Sequence, residues 1–282
     1  MIFEHEIPAG SRLYFAKSAK IKREIESISA NLLESLGYSE MVTPLFSYHQ
    51  HESFDDTKEL IRLNDSSNHA VTLRADSTTD VVRIATQRLG RSSSENRWFY
   101  IQPVYTYPTN EHYQIGAEVI EGDFAGVCKD AISLLDSLDI EPILQVANIA
   151  IPKLLSSKYG ISIDDIKSMN LEKMLESGLE WIERLIHIDS ISQLDDLSMF
   201  PNDIANELSK ISDAVKLIEY PNIVISPLYY ARLRYYDSLV FRFFEDNTLY
   251  MRGGSYSVDR LKAVGFSLHT DACIAKKMQK DS

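Results

Sequence analysis

The fold of this chain is decided by two neighbouring stretches, Arg97-Trp-Phe-Tyr-Ile-Gln-Pro-Val-Tyr-Thr-Tyr107 and His112-Tyr-Gln-Ile-Gly-Ala-Glu-Val-Ile120. Their residue patterns are typical of β-strands at Trp98–Tyr105 and Gln114–Ile120. Only Pro108-Thr-Asn-Glu-His112 joins the two strands. Side chains four residues apart on a strand share one face, so we expect Gln114 and Glu118 to point the same way.

The segments before this strand pair predict a helix, a strand and a strand-to-helix turn. Between Ser18 and Leu36 the apolar residues recur at three- and four-residue spacing, which indicates a helix with one apolar stripe. The residues of this stripe are Ile21, Ile25, Ile28, Leu32 and Leu36. Gly37 is expected to end the helix, and a strand is expected over Tyr38–Phe46. Residues 71–85 predict a strand that turns into a helix, with Ser77, Thr78 and Thr79 as its caps.

The second half of the chain predicts helices followed by further strands. The expected order is a helix at 129–138, a strand at 143–149, a helical region over 152–219, and strands at 224–227, 235–244 and 248–252. Gly253-Gly254 is expected to form a tight turn. Helices segregated from an antiparallel sheet predict an α+β fold with a helical insertion.

Charge and cysteine content narrow the class of protein. The 282 residues include 29 lysines and arginines against 41 aspartates and glutamates, a net charge of −12. Such a chain repels nucleic-acid phosphates, so we expect no nucleic-acid partner. Cys128 and Cys273 lack the close spacing of a disulfide framework or a zinc site. No stretch approaches the ~18 apolar residues of a membrane span, and the N-terminus lacks a basic, apolar leader. We therefore expect a cytoplasmic protein.

These segments together resemble the catalytic domain of histidyl-tRNA synthetase, a class II aminoacyl-tRNA synthetase. The helix, Gly37 and Tyr38–Phe46 resemble motif 1, which forms the dimer interface in that family. The two central strands resemble motif 2, and Ala263-Val-Gly-Phe-Ser-Leu268 resembles the start of motif 3. The resemblance implies a class II synthetase-like antiparallel sheet flanked by helices, with a core of residues 1–151 and 220–282. Residues 152–219 would be a helical insertion, and no anticodon-binding domain is expected.

The same resemblance implies a pocket for free histidine. By position, Asp76, Thr78 and Gln114 would surround the α-ammonium group, and Glu118 would bind the imidazole. Residues 231–241 resemble the family's histidine loop. The expected histidine-binding residues are Asp76, Thr78, Gln114, Glu118, Arg232, Arg234, Tyr235 and Tyr236. Read without the resemblance, Gln114 and Glu118 fit a solvated strand face, the two tyrosines fit a half-buried core, and Gly253-Gly-Ser-Tyr256 fits a hairpin turn.

The chain departs from the family where ATP would bind. Thr106 and Ala272 stand where motifs 2 and 3 carry arginines, and the motif 2 loop is short. Without two guanidinium groups, a triphosphate loses its strongest partners. The histidine-loop arginine falls at Ala231, so Arg232 and Arg234 are the candidates for the ligand carboxylate. Asp76 is one methylene shorter than the family's glutamate.

Three functions are compatible with this pattern. The first is a non-catalytic regulatory subunit of the kind found in ATP phosphoribosyltransferase. The resemblance then implies a homodimer that assembles with a short catalytic subunit and mediates L-histidine feedback in the first step of histidine biosynthesis. No catalytic residue, metal or cofactor is expected; the spacing of His49 and His51 suits a metal, but no further ligand is evident. The second function is an amino-acid-activating ligase with a non-tRNA acceptor, and the third is a structural dimeric scaffold.

Overall fold

The computed structural model describes residues 6–48, 57–90, 94–230, 236–258 and 260–280 of the chain. The strands in these ranges are β1 (Ser39–Glu40), β2 (Phe46–Ser47), β3 (Arg62–Asn64), β4 (Ala70–Leu73), β5 (Arg97–Thr106), β6 (Asn110–Ile120), β7 (Ile143–Asn148), β8 (Ile223–Ile225), β9 (Tyr236–Glu245), β10 (Thr248–Val258) and β11 (Leu261–His269). The α-helices are α1 (Ala16–Ser35), α2 (Thr78–Ile84), α3 (Phe124–Ser137), α4 (Ala150–Lys158), α5 (Ile163–Lys167), α6 (Leu171–Leu175), α7 (Ile182–Ile186), α8 (Asn202–Leu217) and α9 (Thr270–Lys280). The α+β class is confirmed.

An eight-stranded sheet in the order β1-β5-β6-β11-β10-β9-β7-β8 forms the centre of the fold. Its neighbouring strands are antiparallel except for the outer pairs β1/β5 and β7/β8, which are parallel. The long strands β5 and β6 form the predicted pair, and only residues 107–109 separate them. A second sheet of three strands has the order β2-β4-β3.

The two faces of the large sheet differ because side chains alternate along each strand. One face carries Phe99, Phe266 and Phe241, which belong to a core cluster shared with helices α1, α3, α8 and α9. The opposite face carries Tyr100, Glu118 and other polar side chains. Helix α2 lies on this second face, where Val82 packs with Tyr236 and Tyr256.

Helix α1 and its glycine stop confirm the sequence prediction. The amide of Gly37, whose φ is +81°, donates to the Glu34 carbonyl at 3.0 Å, and the Tyr38 amide donates to the Leu33 carbonyl at 3.0 Å. These two bonds are the Schellman motif that commonly ends a helix at glycine. The apolar stripe packs inside the protomer against α3 and α9, and Ile25 and Leu33 are fully buried.

Helices α4 to α8 confirm the helical character of the region after the first half. Buried residues in these helices, such as Leu155 and Leu208, and Trp181 just before α7 belong to the same core cluster as the sheet residues Phe241 and Phe243. The helices therefore share one hydrophobic core with the sheet.

Three local predictions were wrong. Residues 38–46 are mostly irregular, with only the short strands β1 and β2 at either end. Gly253 and Gly254 lie inside β10, and the turn of that hairpin is at Asp246 and Asn247. A Cβ at Gly253 would lie 2.4 Å from Cζ of Phe241, so packing against the neighbouring strand requires this glycine. Ser77 precedes α2 but makes no capping bond, because its hydroxyl accepts from the Gln102 amide at 2.7 Å.

The structure also bears on the expectations for the cysteines, for membrane-spanning helices and for metal ligands. Cys128 and Cys273 are both free and buried. None of the helices in the described ranges has the length and apolar composition needed to cross a bilayer. Those ranges also contain no group of three metal-ligating side chains, and His49 and His51 fall outside them.

Candidate functional site

Glu118 is the centre of the polar face of the sheet. The side chain is completely buried. Its Oε2 atom accepts a hydrogen bond from the Tyr256 hydroxyl at 2.6 Å, and Oε1 lies 3.5 Å from the Tyr100 hydroxyl. Gly265 on β11 pairs with Glu118, and a Cβ there would lie 1.7 Å from Oε2. The carboxyl group therefore lies across the strand beside it, over a residue that must be glycine.

Burial raises the pKa of Glu118 to about 8. Hydrogen bonds from Tyr256, Thr78 and Tyr100 lower this pKa, while the nearby negative charge of Asp76 raises it. The group is thus mainly a neutral acid at pH 7. It can donate a proton to a neutral imidazole or, once ionised, pair with an imidazolium. Such a group suits recognition of a ring with one donor and one acceptor nitrogen.

Two predicted residues come from the turn between β4 and α2. Thr78 is the first residue of α2, and its hydroxyl lies 3.4 Å from that of Tyr100. Asp76 is also buried, and its charge acts on Glu118, Tyr100 and Tyr236. The structure therefore brings Asp76 and Thr78 to the Glu118 carboxyl, as the sequence predicts.

Tyr236 begins β9 and borders the same space. Its ring packs edge-on against Tyr256, with centroids 6.5 Å apart and an interplanar angle of 84°. The ring is buried, and burial raises the pKa of the Tyr236 hydroxyl. Tyr235, Arg232 and Arg234, the other predicted residues of this loop, lie outside the described residues.

Gln114 shares the face of Glu118 but not its immediate surroundings. It lies four residues earlier on β6, which is about 13 Å along the strand, and it pairs with His269 of β11. Its side chain is buried. The reading of Gln114 and Glu118 as a solvated strand face is therefore wrong.

Tyr256 and Tyr100 contact Glu118 directly, yet neither was among the predicted site residues. Tyr256 was assigned to a hairpin turn, whereas it lies two residues beyond Gly254 on the same face of β10. Tyr100 passes over Gly116, where a Cβ would lie 2.2 Å from its ring. Period-two alternation along β5 gives the signal for Tyr100, because Tyr100 pairs with Gly116, midway between Gln114 and Glu118.

The two positions at which the resemblance expects arginines lie on different elements. Thr106 is the last residue of β5, and Ala272 lies in the first turn of α9. Beside Ala272, the Asp271 carboxylate accepts hydrogen bonds from the Tyr14 hydroxyl at 2.5 Å and the Tyr113 amide at 3.2 Å. Burial raises the pKa of Asp271 and is the largest single influence, but hydrogen bonds from His112, Tyr14 and the Tyr113 amide outweigh it and hold this pKa below its ordinary value.

Comparisons with known proteins identify the family of the chain. A family model described as histidyl-tRNA synthetase matches residues 14–177, more than half of the chain. An ATP phosphoribosyltransferase regulatory subunit from Wolinella succinogenes is 44% identical over 278 residues, which cover 98% of this chain and 97% of that protein. A second such subunit, from Helicobacter hepaticus, is 37% identical over 276 residues and is covered to 98%.

Solved structures share the fold at lower identity. An ATP phosphoribosyltransferase regulatory subunit/histidyl-tRNA synthetase from Bacillus halodurans has a TM-score of 0.79 at 18% identity, covering 98% of this chain and 84% of that chain. A histidine–tRNA ligase subunit from Alicyclobacillus acidocaldarius has a TM-score of 0.77 at 21% identity, with both chains fully covered. The chain therefore belongs to the family of ATP phosphoribosyltransferase regulatory subunits, on the class II histidyl-tRNA synthetase fold.

Proposed function

We propose that this regulatory subunit binds L-histidine at Glu118 and transmits feedback to a separate short-form catalytic subunit of ATP phosphoribosyltransferase. The observation that carries the proposal is the contrast between a retained acid and two lost arginines. The acid that would bind an imidazole is kept and enclosed by tyrosines, whereas Thr106 and Ala272 stand where the resemblance places the family's arginines. The site suits an amino acid without ATP.

The hydrogen bonds of Glu118 indicate which of its atoms would meet the ligand. Oε2 is held by the short bond from Tyr256, Oε1 has the long contact with Tyr100, and Thr78 also hydrogen-bonds the carboxyl group. In this proposal Oε1, which lies farther from its tyrosine, is the oxygen that meets an imidazole nitrogen. Asp76 lies near enough to act on the same carboxyl group and supplies an anion for the α-ammonium group. Gln114, farther along β6, would bind the opposite end of the ligand.

Feedback requires that histidine bind two states of the complex with different affinity, because a ligand that binds both equally shifts nothing. In this proposal the catalytic chemistry belongs to the partner. The regulatory chain contributes the ligand site and the contacts that bias the partner between an active and an inhibited state.

The homodimer is part of the same proposal. The apolar stripe of α1 is occupied within the protomer, so it does not support an interface. The residues after Gly37 support one, because Val42, Leu45, Phe46 and Tyr48 are exposed together with Leu63 of β3. Several exposed apolar side chains on one short segment and the small sheet that it joins are typical of a protein interface. We propose that a second copy of the chain covers it.

The test of histidine binding compares wild type with Glu118→Ala. At saturating L-histidine we expect the melting temperature of wild type to rise by about 5 °C or more. Glu118→Ala should lose this shift, because removing one partner of a buried hydrogen-bonded pair between a carboxylate and an imidazolium costs about 2–5 kcal/mol. Glu172→Ala, an exposed glutamate on α6, is the matched control and should respond like wild type.

The measurement is repeated with the catalytic subunit present, using inhibition of its activity by L-histidine as the second readout. A wild-type chain that shows no histidine response alone or in the complex would refute the sensing role and leave an assembly scaffold. A Glu118→Ala variant that responds like wild type would place the histidine site elsewhere.

A further inference from the structure

Arg252 lies on the same sheet face as Glu118, two strands away on β10 and two residues from Gly254, which is level with Glu118. It pairs with Ser267 of β11 on one side and with Arg242 of β9 on the other. The next pair toward Glu118 is Gly254 with Gly265. Paired residues of an antiparallel sheet project to one face. Because both residues of this pair are glycines, neither contributes a side chain between Arg252 and the carboxyl group of Glu118.

Three buried polar atoms beside Arg252 have no hydrogen-bond partner among the described residues. They are Oγ of Ser267 and Nε of Arg242, whose residues pair with Arg252 on either side, and Nε2 of His269, two residues farther along β11. Buried polar atoms in proteins are nearly always hydrogen-bonded, so such atoms require an explanation. A bound ligand with acceptor oxygens would supply a partner to the Ser267 hydroxyl and to His269 in its Nε2–H tautomer.

The ring of Tyr236 lies over Gly254, where a Cβ would be 3.0 Å from its Cε1 atom. Burial raises the pKa of the Tyr236 hydroxyl, the negative charges of Glu118 and Asp76 raise it further, and the positive charge of Arg252 opposes them by lowering it. Arg252 also adds to the effect of burial in lowering the pKa of His269 to about 3. One end of the site is thus acidic and the other basic, which matches a zwitterion with a cationic and an anionic end.

We propose that Arg252 binds the α-carboxylate of the amino-acid ligand, with the Ser267 hydroxyl as a second donor. This inference rests on the proposed function and assigns the carboxylate partner within it. Arg252 takes the task of the family's histidine-loop arginine, whose position in this chain is Ala231. A guanidinium group can bind a carboxylate through two parallel hydrogen bonds, which gives both orientation and selectivity for that group.

Arg242, on the neighbouring strand, is the matched control. Its guanidinium lies 4.7 Å from the ring centroid of Tyr229 and 5.1 Å from that of Phe244. The positive charge is thus held between two aromatic rings of its own surroundings. Substitution of Arg242 removes a positive charge next to Arg252 but leaves the Arg252 guanidinium, which is the group that we assign to the ligand carboxylate.

The test uses calorimetric titration of L-histidine and L-histidinol, which differ in the carboxylate. We expect wild type to prefer L-histidine by roughly 30-fold. Arg252→Gln should remove this preference by weakening L-histidine binding while L-histidinol affinity stays unchanged. Arg252→Lys should keep part of the preference, and Arg242→Gln should keep all of it. Circular dichroism shows whether each variant is folded. If Arg252→Gln is unfolded, the comparison of wild type with Arg252→Lys still tests the assignment.

The outcomes separate the two proposals. If wild type binds neither compound, the proposed function fails and this inference fails with it. If wild type binds L-histidine but does not discriminate against L-histidinol, histidine sensing stands and the carboxylate assignment is overturned. The assignment is also overturned if folded Arg252→Gln keeps the full preference.

Discussion

At the scale of single residues, Glu118 couples the candidate site to pH. Its pKa is about 8 in the folded protein against an ordinary value of 4.5, so the folded state binds more protons between these values. Stability from this group is therefore fully present below pH 4.5 and is lost as pH rises through 8. For one group the slope is at most about 1.4 kcal/mol per pH unit.

We predict that Glu118→Gln makes the free energy of unfolding less dependent on pH between 5 and 8. The neutral amide cannot ionise, so the variant should gain stability relative to wild type as pH rises. Urea unfolding at several pH values measures this difference. The prediction is wrong if the two proteins keep parallel pH profiles, which would mean that Glu118 titrates near its ordinary value.

Single residues also show what the sequence could and could not predict. Period-two alternation correctly predicted that Gln114 and Glu118 share a face, and position within a motif led to Asp76 and Thr78. The sequence did not identify Tyr256 as a site residue, because the two glycines before it suggested a turn. The inferred role of Arg252 was not predicted at all, since a resemblance identifies positions that match a motif, whereas cross-strand pairing is needed to find a residue that replaces a missing one.

At the scale of elements, strand β11 carries the residue that makes room for Glu118. We predict that Gly265→Ala destabilises the protein by about 1–3 kcal/mol and abolishes its histidine response. The new Cβ would lie 1.7 Å from Oε2 of Glu118 and 2.6 Å from the Ala117 carbonyl oxygen, so the carboxyl group must move. Thermal unfolding with and without L-histidine measures both effects.

Gly122→Ala is the control for the Gly265 prediction. Gly122 lies in the loop after β6, and a Cβ there would lie 2.7 Å from a methyl group of Val119. This variant should lose stability and keep the histidine response. A Gly265→Ala protein with an intact response would show that Glu118 does not need its present position.

Elements whose signal is local were the ones predicted well. The stripe and the glycine of α1 specify a helix and its end within one stretch of sequence. The sequence predicts a strand over residues 38–46, but a strand requires a partner, and within these residues only Ser39 and Glu40 pair with β5 and Phe46 with β4. The glycines of β10 were misassigned for the same reason, because the ring of Phe241 that excludes a side chain at Gly253 comes from another strand.

At the scale of the whole molecule, one hydrophobic core is shared by the large sheet and by helices from both the first and the second half of the sequence. The division into a core of residues 1–151 and 220–282 with an insertion at 152–219 stays a prediction. The shared core of Phe241, Trp181 and Leu208 suggests that deleting the helical segment would expose apolar surface of the sheet. The exposed surface after Gly37 is a different case, since nothing within the described protomer covers it.

We predict that the chain is a two-fold dimer at micromolar concentration and that Val42→Glu with Phe46→Glu makes it monomeric. Val42 and Phe46 are 77% and 56% exposed in the protomer, so the changes should leave its fold intact. In a two-fold dimer each change occurs twice, and burying unpaired carboxylates is strongly unfavourable. Leu217→Glu, at an exposed position of α8, should remain dimeric. Light scattering coupled to size-exclusion chromatography gives the masses. A monomeric wild type, or a double variant with wild-type mass, would refute this interface, and a control that also dissociates would move the interface toward α8.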